Sequence, residues 1–155
     1  MRVRQYVYFA VKSETLDAMA MATRIGLAPD EIAVRGSHHA DPPRPVVHVW
    51  KVVCRDRGIA VDEQIARLVE RLTPYTEAIG ALAEELNRGE GCSTVALQVV
   101  RILDTEDGED EDLTSPNPEF VRLAGQHQLL GWHLDRRTMQ FLISTHAELD
   151  VDEYG

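Results

Sequence analysis

Cysteine is nearly absent from this sequence: Cys54 and Cys92 are the only two, far apart, which excludes a disulfide framework and points to a reducing cytoplasm. No secretory leader is expected. Arg2 and Arg4 resemble a basic leader, but the apolar run after them, Tyr6 to Val11, is short for a signal core and ends at Lys12. No stretch approaches the roughly 20 apolar residues of a membrane span. A G-x-S-x-G elbow, a G-x-G-x-x-G turn and a phosphate loop are all missing, so the common nucleophile and nucleotide signatures give no support to catalysis. Positive charge is also scarce, with 16 Lys and Arg against 26 Asp and Glu. An unspecialised phosphate-binding surface needs the opposite balance, so nucleic acid and anionic membrane are not expected partners.

What is present is enough for one α+β domain spanning residues 1–155. A chain of this length buries a core without disulfide or metal, and no cofactor is expected. The net charge of −10 is unevenly placed. Residues 104–112 hold seven acids and no base, and residues 148–153 hold four acids and no base. Setting these eleven aside leaves 15 acids against 16 bases, so the body is nearly neutral. Asp104, Asp107, Asp110, Asp112, Glu148, Asp150 and Asp152 are the expected partner-binding residues, and a basic protein or peptide is the expected partner.

Val46 to Cys54, rich in Val and centred on Trp50, reads as a central strand covered on both faces. Val3 to Val11 alternates as a first strand. Ser13 is the expected cap of a helix with Leu16, Met19, Ala20 and Thr23 on one side, ended by Gly26. Ile32 to Arg35 reads as a short edge strand, and the prolines of Ser37 to Pro45 make a loop. Asp62 opens a helix buried through Ile65, Leu68, Val69 and Leu72. Thr73 as cap and Pro74 restart it through Ile79, Leu82 and Leu86, and Val95 to Leu103 is the next strand. This order gives a ferredoxin-like β-α-β-β-α-β core over 1–103, followed by an acidic loop and short helix (Asn117, Pro118 to Leu123) over 104–125. A strand-helix-strand extension over 126–155 comprises Leu129 to Leu134, a helix capped by Asp135 and buried through Met139, Leu142 and Ile143, and Ala147 to Val151. In the last strand Ala147, Leu149 and Val151 should face inward, with Glu148, Asp150 and Asp152 outside.

The opening YVYFAVKSE, RIGLAPDE, the Trp50 strand, DEQIARLVERL and the closing AELDVDEY together resemble the bacterial family numbered 4279 among domains of unknown function. The resemblance implies a single cytoplasmic α+β domain and carries over no active-site residue.

Other constellations point to weaker chemistry. In the acidic run, an EF-hand register starting at Asp104 places Glu109 where Gly is needed and Ser115 where Glu is needed, so a solvated, mobile loop is expected. His38, His39, Asp41 and His48 offer ligand types, but adjacent histidines in extended chain point to opposite sides; His127 and His133 are too far apart to form one site. Cys54 continues an apolar strand and is expected to be buried and inert. Tyr6, Tyr8 and Trp50 are expected to pack against the C-terminal strand and helix, since base stacking lacks a basic signature here. The expected function is therefore a non-catalytic binding protein, one concrete form being an immunity-type inhibitor of a basic toxin. The alternative is a small-molecule or metal-dependent enzyme with a histidine-lined pocket.

Overall fold

The computed structural model describes residues 2–39, 43–110 and 129–155. It is a mixed α+β structure. Its strands are β1 (Arg2–Ser13), β2 (Glu31–Ala33), β3 (His48–Cys54), β4 (Ser93–Leu103), β5 (Glu109–Asp110) and β6 (Glu148–Tyr154). The helices are α1 (Ala18–Ile25), α2 (Val61–Leu72), α3 (Thr76–Arg88) and α4 (Arg136–Ser144). The sheet runs β2-β3-β1-β4-β6, with β5 on β1. Every pairing is antiparallel except β4 with β6.

The organising strand is β1 rather than β3. Its twelve residues pair with β4 from Val3 to Ser13, and with β3 from Val7 onward. Val7, Phe9 and Val11, with Trp50 and Val52 of β3 and Val95, Leu97 and Val99 of β4, form one buried cluster with residues of all four helices. The helices therefore lie together on one face. Phe9 meets Phe141 of α4 edge to face at 5.4 Å. The other face of β3 is only half-buried, and Val46, expected in the strand, is 77% exposed outside it.

Asp17, not Ser13, caps α1: its carboxylate accepts from the Met19 and Ala20 amides at 2.9 Å. The Ser13 hydroxyl instead folds the preceding turn by accepting from Thr15 and Leu16. The buried stripe is consequently Ala18, Met21 and Ile25, while Met19 is exposed. Gly26 ends the helix at φ +83°, a conformation glycine adopts without strain. The stripe of α2 is as expected, with Val61 and Gln64 added. Thr73 is the C-cap of α2 and not the N-cap of α3; it has helical dihedrals and heads a 3-10 turn through Tyr75 that joins α2 to α3.

Residues 131–135 form no strand, although Leu129 is buried and Trp132 and Leu134 pack on the core. Asp135 caps α4 through the Thr138 amide at 2.7 Å. The face of α4 is rotated from the expected one: Thr138, Phe141 and Leu142 are buried, while Met139 and Ile143 are exposed. The helix expected from Asn117, together with Asp41, Asp112 and His127, lies outside the described residues. No helix among the described residues is long and apolar enough to cross a membrane.

Candidate functional site

Because the helices cover one face, the opposite face of the sheet is where side chains stand open. Strand parity and register put Tyr6 and Tyr8 of β1 there, between Lys51 and Val53 of β3 on one side and Gln98 and Val100 of β4 on the other. Beyond β4 come Glu148, Asp150, Asp152 and Tyr154 of β6. The two tyrosine rings stack at 6.3 Å, with Lys51 Nζ 4.6 Å from the Tyr8 centroid and the Arg55 guanidinium 5.0 Å from that of Tyr6. These tyrosines do not pack against α4, which is on the far side of the sheet.

Charge is sorted across this face. On the β3 side, Glu31 accepts from Lys51 at 2.7 Å and from Arg55 at 2.5 Å. Burial raises the Glu31 carboxyl, but these two hydrogen bonds outweigh it and leave it below its ordinary range. On the β6 side the acids are exposed or half-exposed, and among the described residues no Lys or Arg pairs with Glu148, Asp150 or Asp152. Tyr8 lies between. Its hydroxyl is pushed up to about 12, first by burial and then by Tyr6, Asp152 and Asp150. Behind it Gln98 is 2% exposed, and its amide nitrogen has no hydrogen-bond partner among the described residues.

Alternation along β6 follows its register: Leu149 and Val151 align with Leu97 and Val99 on the helix side, and Glu148, Asp150 and Asp152 align with the open face. As an edge strand it buries little, with Leu149 36% and Val151 38% exposed, so the inward half of the expected pattern is only partly realised.

The acidic run behaves differently from a solvated loop over its described part. Arg4 Nη1 meets Asp107 at 2.6 Å, Arg57 donates to the Asp107 carbonyl at 2.5 Å, and Arg2 donates to the Glu106 carbonyl at 2.9 Å. Glu109 accepts from the Gly58 amide at 2.7 Å. The Thr105 hydroxyl, then Arg4, hold the Asp107 carboxyl below its ordinary range. Asp104 and Asp110 are exposed. Three strand spacings, roughly 14 Å, separate β5 from β6, so the two acidic elements are not joined into one site.

His38 and His39 are exposed, and His48 accepts from the Arg35 amide at 3.2 Å. His133 Nδ1 lies 2.7 Å from Asp62, beside Glu63, Asp135 and Thr138 around a cavity of about 200 Å³. Among the described residues no three His, Cys, Asp or Glu side chains are grouped to hold a metal ion. Cys54 is buried, and burial pushes its thiol up; Cys92 is exposed. The His133–Asp62 contact and the arginine clamp on the acidic run were invisible to sequence reasoning, because each joins segments that spacing alone does not relate.

Residues 3–113 match the family model described as a domain of unknown function, DUF4279. The chain belongs to this family. The match takes in β1 through β5 and leaves α4 and β6 outside it, so the closing AELDVDEY lies beyond the matched residues. No curated protein and no solved structure matches significantly. DUF4279 membership identifies the domain and assigns none of its side chains a role.

Proposed function

We propose that this chain is a non-catalytic binding protein that engages a basic protein or peptide through the open face of its sheet at β6. The observation that carries this reading is the row Glu148, Asp150 and half-exposed Asp152, on the same sheet face as Tyr6, Tyr8 and Tyr154 and lacking a described cationic partner. An extended basic segment could add to the outer edge of β6 by main-chain hydrogen bonds while its Lys or Arg side chains reach the acids and the tyrosine rings. An immunity-type inhibitor of a basic toxin is one concrete form. The order β2-β3-β1-β4, with β1 and β3 interior and antiparallel neighbours, supports a ferredoxin-like core carrying α4 and β6 as an extension. Two free cysteines support a cytoplasmic setting.

The loop acids Asp104, Asp107, Asp110 and Asp112 take a lesser part in this reading, since Arg4 already neutralises Asp107. A histidine-based enzyme has His133 and Asp62 in its favour. The described residues around that pair supply neither a third metal ligand nor a cysteine or serine nucleophile.

The test uses a fluorescent Lys- and Arg-rich peptide. Binding should weaken as salt rises, and Asp150→Asn with Asp152→Asn should weaken it at low salt, whereas Asp107→Asn should change it little. Unchanged affinity in a normally folded Asp150/Asp152 variant would remove β6 from the reading.

A further inference from the structure

The edge of β1 facing β3 is only partly used. Val7 to Ser13 pair with β3, Arg2 and Val3 pair with β5, and Arg4, Gln5 and Tyr6 between them have no ladder partner on that side among the described residues. Beside this gap is a cavity of about 400 Å³ lined by Arg4, Gln5, Tyr6, Arg55 and Arg57, with Asp107 and Glu109 at its wall. Three guanidinium groups around an open strand edge form a receptor for an extended chain bearing carboxylates.

We infer that this edge is a binding site for an acidic peptide in extended conformation, and that residues 104–110 occupy it in cis. The seat is shaped for that segment. Gly108 passes so close to β1 that a Cβ there would lie 2.9 Å from the Val3 amide nitrogen and 3.0 Å from Arg2 Cβ. Asp107 and Glu109, two residues apart, supply carboxylates to Arg4 and to Arg57. Yet the segment holds its place weakly. Its ladder is two residues long, and its ion pair Arg4–Asp107 is about half exposed on both sides; such pairs contribute little and are screened by salt. A longer acidic strand could take the unpaired Arg4 to Tyr6 backbone as well as the guanidinium groups. The site is independent of the β6 surface: it has the opposite charge and the opposite partner preference.

The test measures binding of a labelled synthetic peptide of residues 104–110, DTEDGED, to the whole chain. In the parent the tethered copy competes. Asp107→Asn with Glu109→Gln should tighten binding about ten-fold, as expected when the cis segment fills the site nine-tenths of the time. Gly108→Val, which unseats the segment without changing its charge, should tighten binding in the same direction. Arg4→Gln or Arg57→Gln should cancel both gains in chains with unchanged thermal melts. Asp150→Asn with Asp152→Asn makes the same charge change elsewhere and should give no gain. The inference is overturned if neither segment variant gains affinity, if the Asp150/Asp152 variant gains as much, or if the neutral peptide NTQNGQN binds equally. It is also overturned if inorganic phosphate displaces the peptide at equal concentration, because the arginines would then bind a simple anion and not an extended acidic chain.

Discussion

Arg101 and Glu153 stand in register across the parallel β4–β6 pair, Nη1 to Oε1 at 2.6 Å, and they are buried unequally: the Arg101 side chain is 7% exposed and that of Glu153 53%. Arg101 also donates to the Leu130 carbonyl at 3.3 Å, and its Nε has no described partner. The buried member carries the larger desolvation cost, so the two single substitutions should differ. Glu153→Gln leaves the guanidinium buried without its counter-charge and should cost about 1–2 kcal/mol in urea unfolding. Arg101→Met removes the buried charge itself and should cost less than Glu153→Gln. Equal costs would mean that the pair behaves as an ordinary surface contact.

Trp50 is fully buried, and its indole donates to the Leu27 carbonyl at 3.1 Å. Trp50→Ala should cost about 3–5 kcal/mol by emptying a large aromatic site. Trp50→Phe keeps most of the packing, leaves the Leu27 carbonyl unpaired, and should cost about 1–3 kcal/mol. The comparison of denaturation midpoints separates volume from hydrogen bond.

The longer strands β1, β3 and β4 and the stripe of α2 are legible because β-branched runs and an apolar period of 3.6 are local signals; the two-residue β5 carries neither. The errors have equally local causes. Ser13 and Asp17 are both good caps four residues apart, and a start at Ser13 implies a stripe through Met19, which the observed start at Asp17 leaves exposed. Leu130, Trp132 and Leu134 alternate like a strand, but Trp132 and Leu134 pack on the core as irregular chain without a ladder. The acidic run has the composition of a repelling, open loop, and nothing in that composition reveals that Arg2 and Arg4, about a hundred positions away in the chain, lie beneath it.

Gly80 lies in the middle of α3, where Ala is ordinarily the better helix former by roughly 1 kcal/mol. Here a Cβ would come 2.5 Å from the Ser144 carbonyl oxygen at the end of α4. That atom is backbone, so relief requires a shift of one helix against the other. Gly80→Ala should therefore destabilise by about 1–3 kcal/mol, the usual cost of overpacking. A rise in melting temperature would show that α4 moves freely on α3.

Tyr8 makes the charge sorting of the open face measurable. Its hydroxyl is held at about 12 against an ordinary 10.0, first by burial and then by Tyr6, Asp152 and Asp150. Between those values the unfolded chain has released a proton that the folded chain still holds, so stability falls as pH rises from 10.0 toward 12 and this contribution is complete below 10.0. In an alkaline titration followed by phenolate absorbance, the native protein should show a late step that Tyr8→Phe removes. Asp150→Asn with Asp152→Asn should move that step to lower pH without returning it to the ordinary value, since burial remains. If the late step survives in Tyr8→Phe it belongs to another ring. If it ignores both aspartates, β6 does not set the potential at the centre of the sheet, and the case for a basic partner there loses its electrostatic support.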